Sequence, residues 1–162
     1  MKPSMYLVPT EAPGRLFILP KPSGEWLRED IAHIRAMGVD TLVSLLEPAE
    51  AAELSLEDEG AVCTAAGLDF LRSPTPDRGL PSEAAFAALT REIARWLRAG
   101  RGVGVHCRAG IGRSGMVVCG ALAAFGHPAA EAVARVSAAR GVAVPDTPEQ
   151  RAFLERMAPR LG

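Results

Sequence analysis

Apolar residues along the chain form two kinds of pattern: short continuous runs, and longer stretches with an apolar position every three or four residues. The short runs are typical of buried strands, and the longer stretches predict amphipathic helices. The predicted strands cover residues 15–19, 39–46, 68–71 and 102–106. The predicted helices cover residues 25–37, 48–66 in two pieces, 82–99, 113–125, 128–140 and 147–157.

Capping residues support these boundaries. Ser82 precedes one helix as an N-cap candidate, and Thr147 precedes the last helix with Pro148 at its first turn. Strands that alternate with helices predict an α/β fold with a central, mostly parallel sheet flanked by helices. The sequence has no internal repeat and no long linker, so we expect residues 1–162 to form a single domain.

Composition and charge narrow the class of protein. The formal net charge is −1, which does not favour a polyanion-binding surface, so we do not expect a nucleic-acid partner. The longest apolar stretch, residues 116–126, is too short for a membrane span, which needs about 20 residues. No signal peptide is evident, and three widely spaced cysteines do not form a disulfide or metal-binding pattern. We therefore expect a cytoplasmic protein.

The segment from His106 to Ser114, with the sequence HCRAGIGRS, joins a predicted strand to a predicted helix. A loop that enters a helix N-terminus directs backbone N–H groups and the positive end of the helix dipole at one point, where an oxyanion binds. Glycine at positions 110 and 112 lets the backbone curl closely around the anion. The predicted phosphate-binding residues are Arg108, Ala109, Gly110, Ile111, Gly112 and Arg113.

Cys107 begins this loop and is the predicted nucleophile. The donors that bind phosphate also stabilise a thiolate, which is then placed to attack phosphorus and form a phosphocysteine. Arg113 can hold two phosphate oxygens at once and tighten that contact in the transition state. We expect Ser114 to donate to the departing thiolate and His106 to order the loop from the interior. The alternative is a glycine-rich turn with a structural cysteine.

A carboxylic acid is needed to protonate the leaving oxygen and then to activate water. Asp77, in the proline-rich segment 73–81, is the best candidate because it follows a predicted strand on a loop that can reach the anion site. The alternative interpretation is a turn aspartate that bonds only to local backbone. Asp69 lies in strand-like sequence and is poorly placed, and capping of the last helix better explains Asp146.

The segment from His106 to Ser114 resembles the signature loop of the protein tyrosine phosphatase superfamily, His-Cys-x5-Arg-Ser/Thr, at every position. The chain is short and Asp77 precedes the signature loop, and in both respects it resembles the small atypical dual-specificity phosphatases of the VHZ type. The likeness extends over residues 15–157. Within it, the late Thr-Pro-Glu-Gln segment is similar to one whose glutamine positions the attacking water. Gln150 has that role by resemblance, or else it completes a capping box with Thr147.

The resemblance implies a mixed sheet flanked by helices, no metal or other cofactor, and hydrolysis of phosphotyrosine in proteins. No recognition loop with a stacking aromatic is evident, and Tyr6 is the only tyrosine. A pocket without that aromatic is shallow and would also admit phosphoserine and phosphothreonine. Arg108 and Ile111 supply one basic residue where phosphoinositide phosphatases of the superfamily tend to have two, which weakens the case for a lipid substrate.

Other functions remain open from sequence alone. A non-catalytic phosphate-binding module would use the same loop, but it would need neither a thiol nor an acid. A sulfurtransferase or arsenate reductase also places a cysteine in an anion loop, and a small phosphorylated metabolite or a lipid is an alternative substrate. Cys119 is expected to be a small buried hydrophobe, whereas Cys63 is a weaker candidate for a reversible disulfide with Cys107.

Overall fold

The computed structural model describes residues 2–162, in which five strands form one sheet in the order β1-β2-β5-β3-β4. The strands are β1 (Tyr6–Val8), β2 (Leu16–Leu19), β3 (Thr41–Ser44), β4 (Asp69–Arg72) and β5 (Val103–His106). β1 pairs antiparallel with β2, and every other pairing is parallel. The predicted α/β fold with a mostly parallel mixed sheet is confirmed.

Within residues 2–162, seven α-helices and one short 3₁₀ helix surround this sheet. They are α1 (Leu27–Ala36), α2 (Pro48–Glu53), α3 (Glu59–Ala65), α4 (Glu83–Arg98), α5 (Arg113–Ala124), α6 (Ala129–Arg140), α7 (Pro148–Met157) and the 3₁₀ helix Ala158–Arg160. None of these helices combines the length and apolar character required to cross a membrane.

The strands divide the interior into two apolar cores, because successive side chains point to opposite faces of a sheet. Val43 faces the core that contains α4, α5, α6 and α7, whereas its neighbour Leu42 faces the core beneath α1 and α3. Both cores are closed by large buried side chains, such as Phe86 and Phe153 on one face and Ile31 and Ile34 on the other. Each face of the sheet is therefore covered by helices.

The caps lie where the sequence predicts them. The Ser82 hydroxyl accepts a hydrogen bond from the N–H of Ala85 at 3.1 Å, and Gly141 ends α6 with a φ of 83°. Two details differ from the prediction. β3 is shorter than the predicted strand at 39–46, because only its centre pairs with β4 and β5, and the antiparallel edge strand Tyr6–Val8 was not predicted.

β5 is the central strand and positions the candidate site. It pairs with β2 on one side and β3 on the other, so that His106 lies opposite both Leu19 and Ser44. The chain leaves the carboxyl end of β5 at Cys107 and enters α5 at Arg113. Parallel sheets bind ligands at the carboxyl ends of their strands, which is where this loop lies.

Candidate active site

The loop from Cys107 to Gly112 is fixed against the neighbouring strand β2. Gly110 has a φ of 72°, and a Cβ at this position would lie 2.6 Å from the backbone of Leu19 and Pro20. Both the backbone conformation and the space therefore require glycine. The N–H of Lys21 donates to the carbonyl oxygen of Arg108 at 3.1 Å, which ties the loop to the chain after β2.

Arg140, at the end of α6, supports the loop from behind. Its guanidinium donates from Nε to the carbonyl oxygen of Gly110 at 3.0 Å and from Nη2 to that of Ala109 at 3.1 Å. The ring of Tyr6 in β1 lies 4.3 Å from the guanidinium carbon, within the range of a cation–π contact. Two loop carbonyls are thereby held by a side chain from a distant element.

Cys107 is 3% exposed and lines a pocket of about 240 Å³. The pocket is also lined by Asp77, Arg78, Arg108, Ala109, Ile111, Gly112, Arg113, Asp146 and Gln150. Of the predicted phosphate-binding residues, all but Gly110 line this pocket, and Gly110 is buried. A larger hollow of about 720 Å³ lies between α1 and α3, and neither Cys107 nor Arg113 lines it.

Arg113 is 2% exposed. It pairs with two carboxylates, Glu50 and Asp77, and the sequence did not reveal the contact with Glu50. Its two terminal nitrogens donate to the two oxygens of Glu50 at 2.8 and 2.9 Å. Nη1 also donates to the carbonyl oxygen of Thr75 at 3.0 Å, and Nη2 donates to Asp77 Oδ1 at 3.2 Å. The guanidinium is thereby fixed in one orientation at the rim of the pocket.

The pairing shifts both partners towards their charged forms. Hydrogen bonding to Arg113 holds the pKa of Glu50 below its ordinary value, against the opposing effect of burial. Burial alone would lower the pKa of Arg113, but the hydrogen bonds to Glu50 and the negative charges of Cys107, Glu50 and Asp77 raise it overall. Glu50 also contacts Arg108, whose Nε lies 3.2 Å from Oε2. The site therefore has a charged pair at its centre.

Asp77 lies on the loop that follows β4, beside Arg113, and its side chain is 58% exposed. The next residue, Arg78, has a φ of 59° and donates to Asp146 Oδ2 at 2.8 Å. Gln150 Nε2 donates to the carbonyl oxygen of Gly79 at 3.3 Å. Two contacts from the start of α7 thus hold the loop over the pocket.

The residues before and within α7 have roles that differ from one another. Thr147 and Gln150 form the predicted capping box: the Thr147 hydroxyl accepts from the Gln150 N–H, and Gln150 Oε1 accepts from the Thr147 N–H. The prediction that capping explains Asp146 was wrong, because Thr147 is the cap and Asp146 pairs with Arg78. Asp69 pairs with Arg101 at the start of β4 and does not line the pocket.

His106 and Ser114 flank the loop in the interior, and both are completely buried. His106 contacts the carbonyl oxygen of Cys107 through Nδ1 at 3.0 Å and Glu59 Oε2 through Nε2 at 2.6 Å. Within residues 2–162, the Ser114 hydroxyl has no hydrogen-bond partner. His106 is therefore anchored at both ring nitrogens, whereas the Ser114 hydroxyl is available to a new acceptor.

The other two cysteines are buried, and neither lines the pocket. Burial, together with the charge of Glu59, raises the pKa of the Cys63 thiol to about 12. Burial raises the pKa of the Cys119 thiol to about 12 as well. Both thiols are thus protonated at neutral pH, and protonated thiols are poor nucleophiles.

Three contributors to the site could not be found from the sequence: Glu50, Glu59 and Arg140. Each lies at least 30 residues from the position that it contacts, with no motif around it. The only sequence signal at Glu50 is local, since it has capping-box spacing after Glu47 at the start of α2.

Comparison with known proteins gives one family match. A sequence model of the family described as "Polymorphic toxin system, DSP-PTPase phosphatase" matches residues 21–127. A search of curated proteins found no match.

Solved structures give several matches to the whole fold. Tk-PTP in its active form is 30% identical, with a TM-score of 0.76, and the match covers 91% of this chain and 93% of that one. Kinase associated phosphatase, with its catalytic site cysteine substituted by serine, is 16% identical, with a TM-score of 0.90 and coverage of 99% and 97%. PTPMT1 in complex with PI(5)P is 21% identical, with a TM-score of 0.76 and coverage of 90% and 91%.

Proposed function

This chain belongs to the DSP-PTPase phosphatase family of polymorphic toxin systems, and on that premise we propose that it hydrolyses phosphomonoesters through a phosphocysteine intermediate. The observation that carries the mechanism is the convergence of three groups on one pocket. Cys107 lies in the pocket lining beside the loop residues, Arg113 lies at its rim and Asp77 lies above it. A module that only binds phosphate would need neither the thiol nor the acid.

In the first step, the Cys107 thiolate attacks phosphorus and the bond to the leaving oxygen breaks. Asp77, in its protonated form, gives its proton to that oxygen. In the second step, water attacks the phosphocysteine, Asp77 accepts a proton from the water, and the thiolate leaves. The buried hydroxyl of Ser114 has no partner among the described residues, so it can donate to the sulfur as charge returns to it.

Arg113 binds the equatorial oxygens of the phosphoryl group in both steps. Glu50 occupies one edge of the guanidinium, and Asp77 contacts Nη2 in the structure. A bound phosphate dianion would compete with Asp77 for Arg113, because both are acceptors. We propose that phosphate displaces the Asp77 carboxylate from Arg113 towards the leaving oxygen, where the acid is needed.

We propose phosphotyrosine in proteins as the substrate, with phosphoserine and phosphothreonine as further substrates of a shallow pocket. A groove of about 560 Å³ continues from the pocket across Asp77 and Arg108 and is lined by Glu47, Glu50 and Glu53. This acidic lining disfavours a polyanionic lipid headgroup or an RNA end, which carry further negative charge beside the ester. Since the mechanism requires a reduced thiol, we also propose a cytoplasmic location.

Release of phenol from an aryl phosphate tests the mechanism. The assay contains chelator and reductant, spans pH 5 to 8, and compares the wild type with Cys107→Ser and Asp77→Asn. We expect Cys107→Ser to abolish turnover and still bind tungstate. We expect Asp77→Asn to lower kcat by roughly 10²- to 10⁴-fold with an aryl phosphate whose leaving group is poor.

Asp69→Asn is the matched control for the acid, because it removes an aspartate charge that is paired with arginine outside the pocket. Equal turnover by Cys107→Ser and the wild type would contradict the proposal, and retained tungstate binding would then favour a binding module. Turnover that survives Asp77→Asn unchanged would favour a thiol enzyme of another class. Faster hydrolysis of a phosphoinositide than of a tyrosine phosphopeptide would contradict the substrate proposal.

A further inference from the structure

The residue that follows Asp77 adopts a backbone conformation that is unfavourable for a residue with a long side chain. Arg78 has a φ of 59°, and within residues 2–162 only Ser55 shares a positive φ among the residues other than glycine. This left-handed region is uncommon for such residues and persists only where surrounding contacts enforce it. Glycine or asparagine would adopt it more readily. The presence of arginine therefore indicates a use for its side chain.

The Arg78 side chain reaches the segment that begins α7. Its Nη1 donates to Asp146 Oδ2 at 2.8 Å, across 68 residues of sequence. Asp146 is fixed in turn, because its N–H donates to Oε1 of Gln150 at 3.1 Å and Gln150 is completely buried. Arg78 thus pairs with a carboxylate whose main chain is held by the start of a helix.

The loop around Asp77 is tied down on both sides of the acid. Before it, the carbonyl oxygen of Thr75 accepts a hydrogen bond from Arg113 at 3.0 Å. After it, the carbonyl oxygen of Gly79 accepts from Gln150 Nε2 at 3.3 Å. The Asp77 side chain between them is 58% exposed, so close packing does not fix it. The contacts of its neighbours therefore determine where its carboxyl group lies.

The pair of Arg78 and Asp146 is too exposed to be explained by stability. The two side chains are 66% and 43% exposed, and ion pairs in such surroundings contribute little to the free energy of folding. Even a weak pair changes the balance between two loop positions by up to about fivefold. A contact of this strength is therefore suited to setting the position of a loop.

We propose that Arg78 and Asp146 are positioning residues, and that their ion pair holds Asp77 over the pocket where it protonates the leaving oxygen. This inference rests on the proposed role of Asp77 as the acid. Neither residue exchanges a proton with the substrate in this role. The pair should matter most for esters whose leaving group needs a proton, because only these depend on the acid.

The first test compares kcat/KM for phenyl phosphate with kcat/KM for 2,4-dinitrophenyl phosphate. Phenol leaves with a proton and dinitrophenolate leaves without one, so the ratio of the two values isolates the contribution of the acid. Effects on phosphate binding cancel in this ratio. We expect Arg78→Asn and Asp146→Asn each to lower it about fivefold. Asparagine tolerates the left-handed conformation, so Arg78→Asn removes the cation without adding strain.

Three further variants separate the ion pair from other causes. Arg78→Lys keeps the cation and should retain most of the ratio. The double variant of Arg78→Asn with Asp146→Asn should lower the ratio no further than either change alone, because both remove the same contact. Arg35→Asn is the matched control, since it removes an exposed pair with Asp40 at the other end of the sheet.

Four outcomes of this comparison would overturn the proposal. They are an unchanged ratio in Arg78→Asn, an equal fall in Arg78→Lys, additive falls in the double variant, and an equal fall in Arg35→Asn.

The second test observes the loop without turnover, through hydrogen exchange of backbone amides followed by NMR at pH 6. The N–H of Gly79 donates to the carbonyl oxygen of Pro76 at 2.8 Å and reports on the loop next to the pair. We expect this amide to exchange faster in Arg78→Asn and in Asp146→Asn than in the wild type. Unchanged exchange in both variants would overturn the proposal. A wild type that hydrolyses neither ester would contradict the proposed function, and the exchange rates would still show whether the pair holds the loop.

Discussion

A single buried guanidinium joins three segments of the chain. Arg113 on α5 contacts Glu50 on α2 and the carbonyl oxygen of Thr75 on the loop after β4. Removing one partner of such a pair leaves an uncompensated buried charge. We expect Glu50→Gln to lower the free energy of unfolding at pH 7 by about 3 kcal/mol. Equilibrium unfolding in urea measures this change. Glu53→Gln on the same helix, which is exposed, is the control.

The same pair makes a prediction about pH. Arg113 lowers the pKa of Glu50 in the folded protein below the ordinary value of about 4.5 that it has when unfolded. A depressed pKa contributes stability that is present above the unfolded value and is lost as the pH falls through the folded value. The difference in stability between the wild type and Glu50→Gln should therefore shrink below pH 4.5. A difference that is constant from pH 7 to pH 3 would contradict this assignment.

The three cysteines should differ sharply in reactivity. Burial is the main cause that raises the pKa of both Cys63 and Cys119 to about 12, whereas Cys107 lines a pocket. Brief treatment of the folded protein with iodoacetamide at pH 7 should modify Cys107 alone, as read by peptide mass spectrometry. Unfolded protein, in which all three react, is the control. Modification of Cys63 at a comparable rate would contradict this prediction and would favour the reversible disulfide between Cys63 and Cys107.

At the scale of elements, α6 and β1 stabilise the loop from Cys107 to Gly112 without reaching the pocket. Arg140 holds two loop carbonyls and is itself covered by Tyr6. In Arg140→Met these carbonyls lose their donor, and we expect kcat/KM for an aryl phosphate to fall roughly 10- to 100-fold, as small displacements of catalytic groups do. Arg135→Met, five residues earlier on α6, removes contacts to Glu11, Glu131 and the carbonyl oxygen of Pro9, none of which lies in the loop, and is the matched control.

At the scale of the whole molecule, the two apolar cores lie on opposite faces of one sheet. Because they share that sheet, we expect them to unfold together, as the prediction of a single domain requires. We expect urea to unfold residues 1–162 in one transition. Phe153→Ala in one core should cost about 3–5 kcal/mol and Leu42→Ala in the other about 2–5 kcal/mol. Circular dichroism and tryptophan fluorescence should shift together in both variants. Two separated transitions would contradict the single domain.

Most of the fold could be predicted because its signals are local. Helical spacing, the caps at Ser82 and Thr147 and the glycine after α6 each lie within the element that they define. Strand β1 was missed because its three residues, Tyr6–Val8, are too few to give a clear alternation, and pairing with β2 stabilises it.

The part of the candidate site that lies in one contiguous segment could be predicted from the sequence. Cys107, the loop and Arg113 form such a segment, and their spacing indicates a phosphate-binding loop with a cysteine nucleophile. The partners of that motif, Glu50 and Glu59, are brought to it by the packing of α2 and α3 against the sheet, 63 and 47 residues away in sequence. Such pairings depend on tertiary structure, and a single sequence contains no local pattern for them.

The unpartnered hydroxyl of Ser114 implies that the stability of the folded protein and its catalytic turnover favour different residues at this position. A buried hydroxyl without an acceptor among the described residues is a cost to the resting protein, and an alanine would avoid it. In the mechanism that we propose, this hydroxyl is used only during the brief interval in which the sulfur regains its charge. Variants of this chain selected for heat resistance alone should therefore tend to lose the hydroxyl, whereas selection for repeated catalytic cycles should retain it.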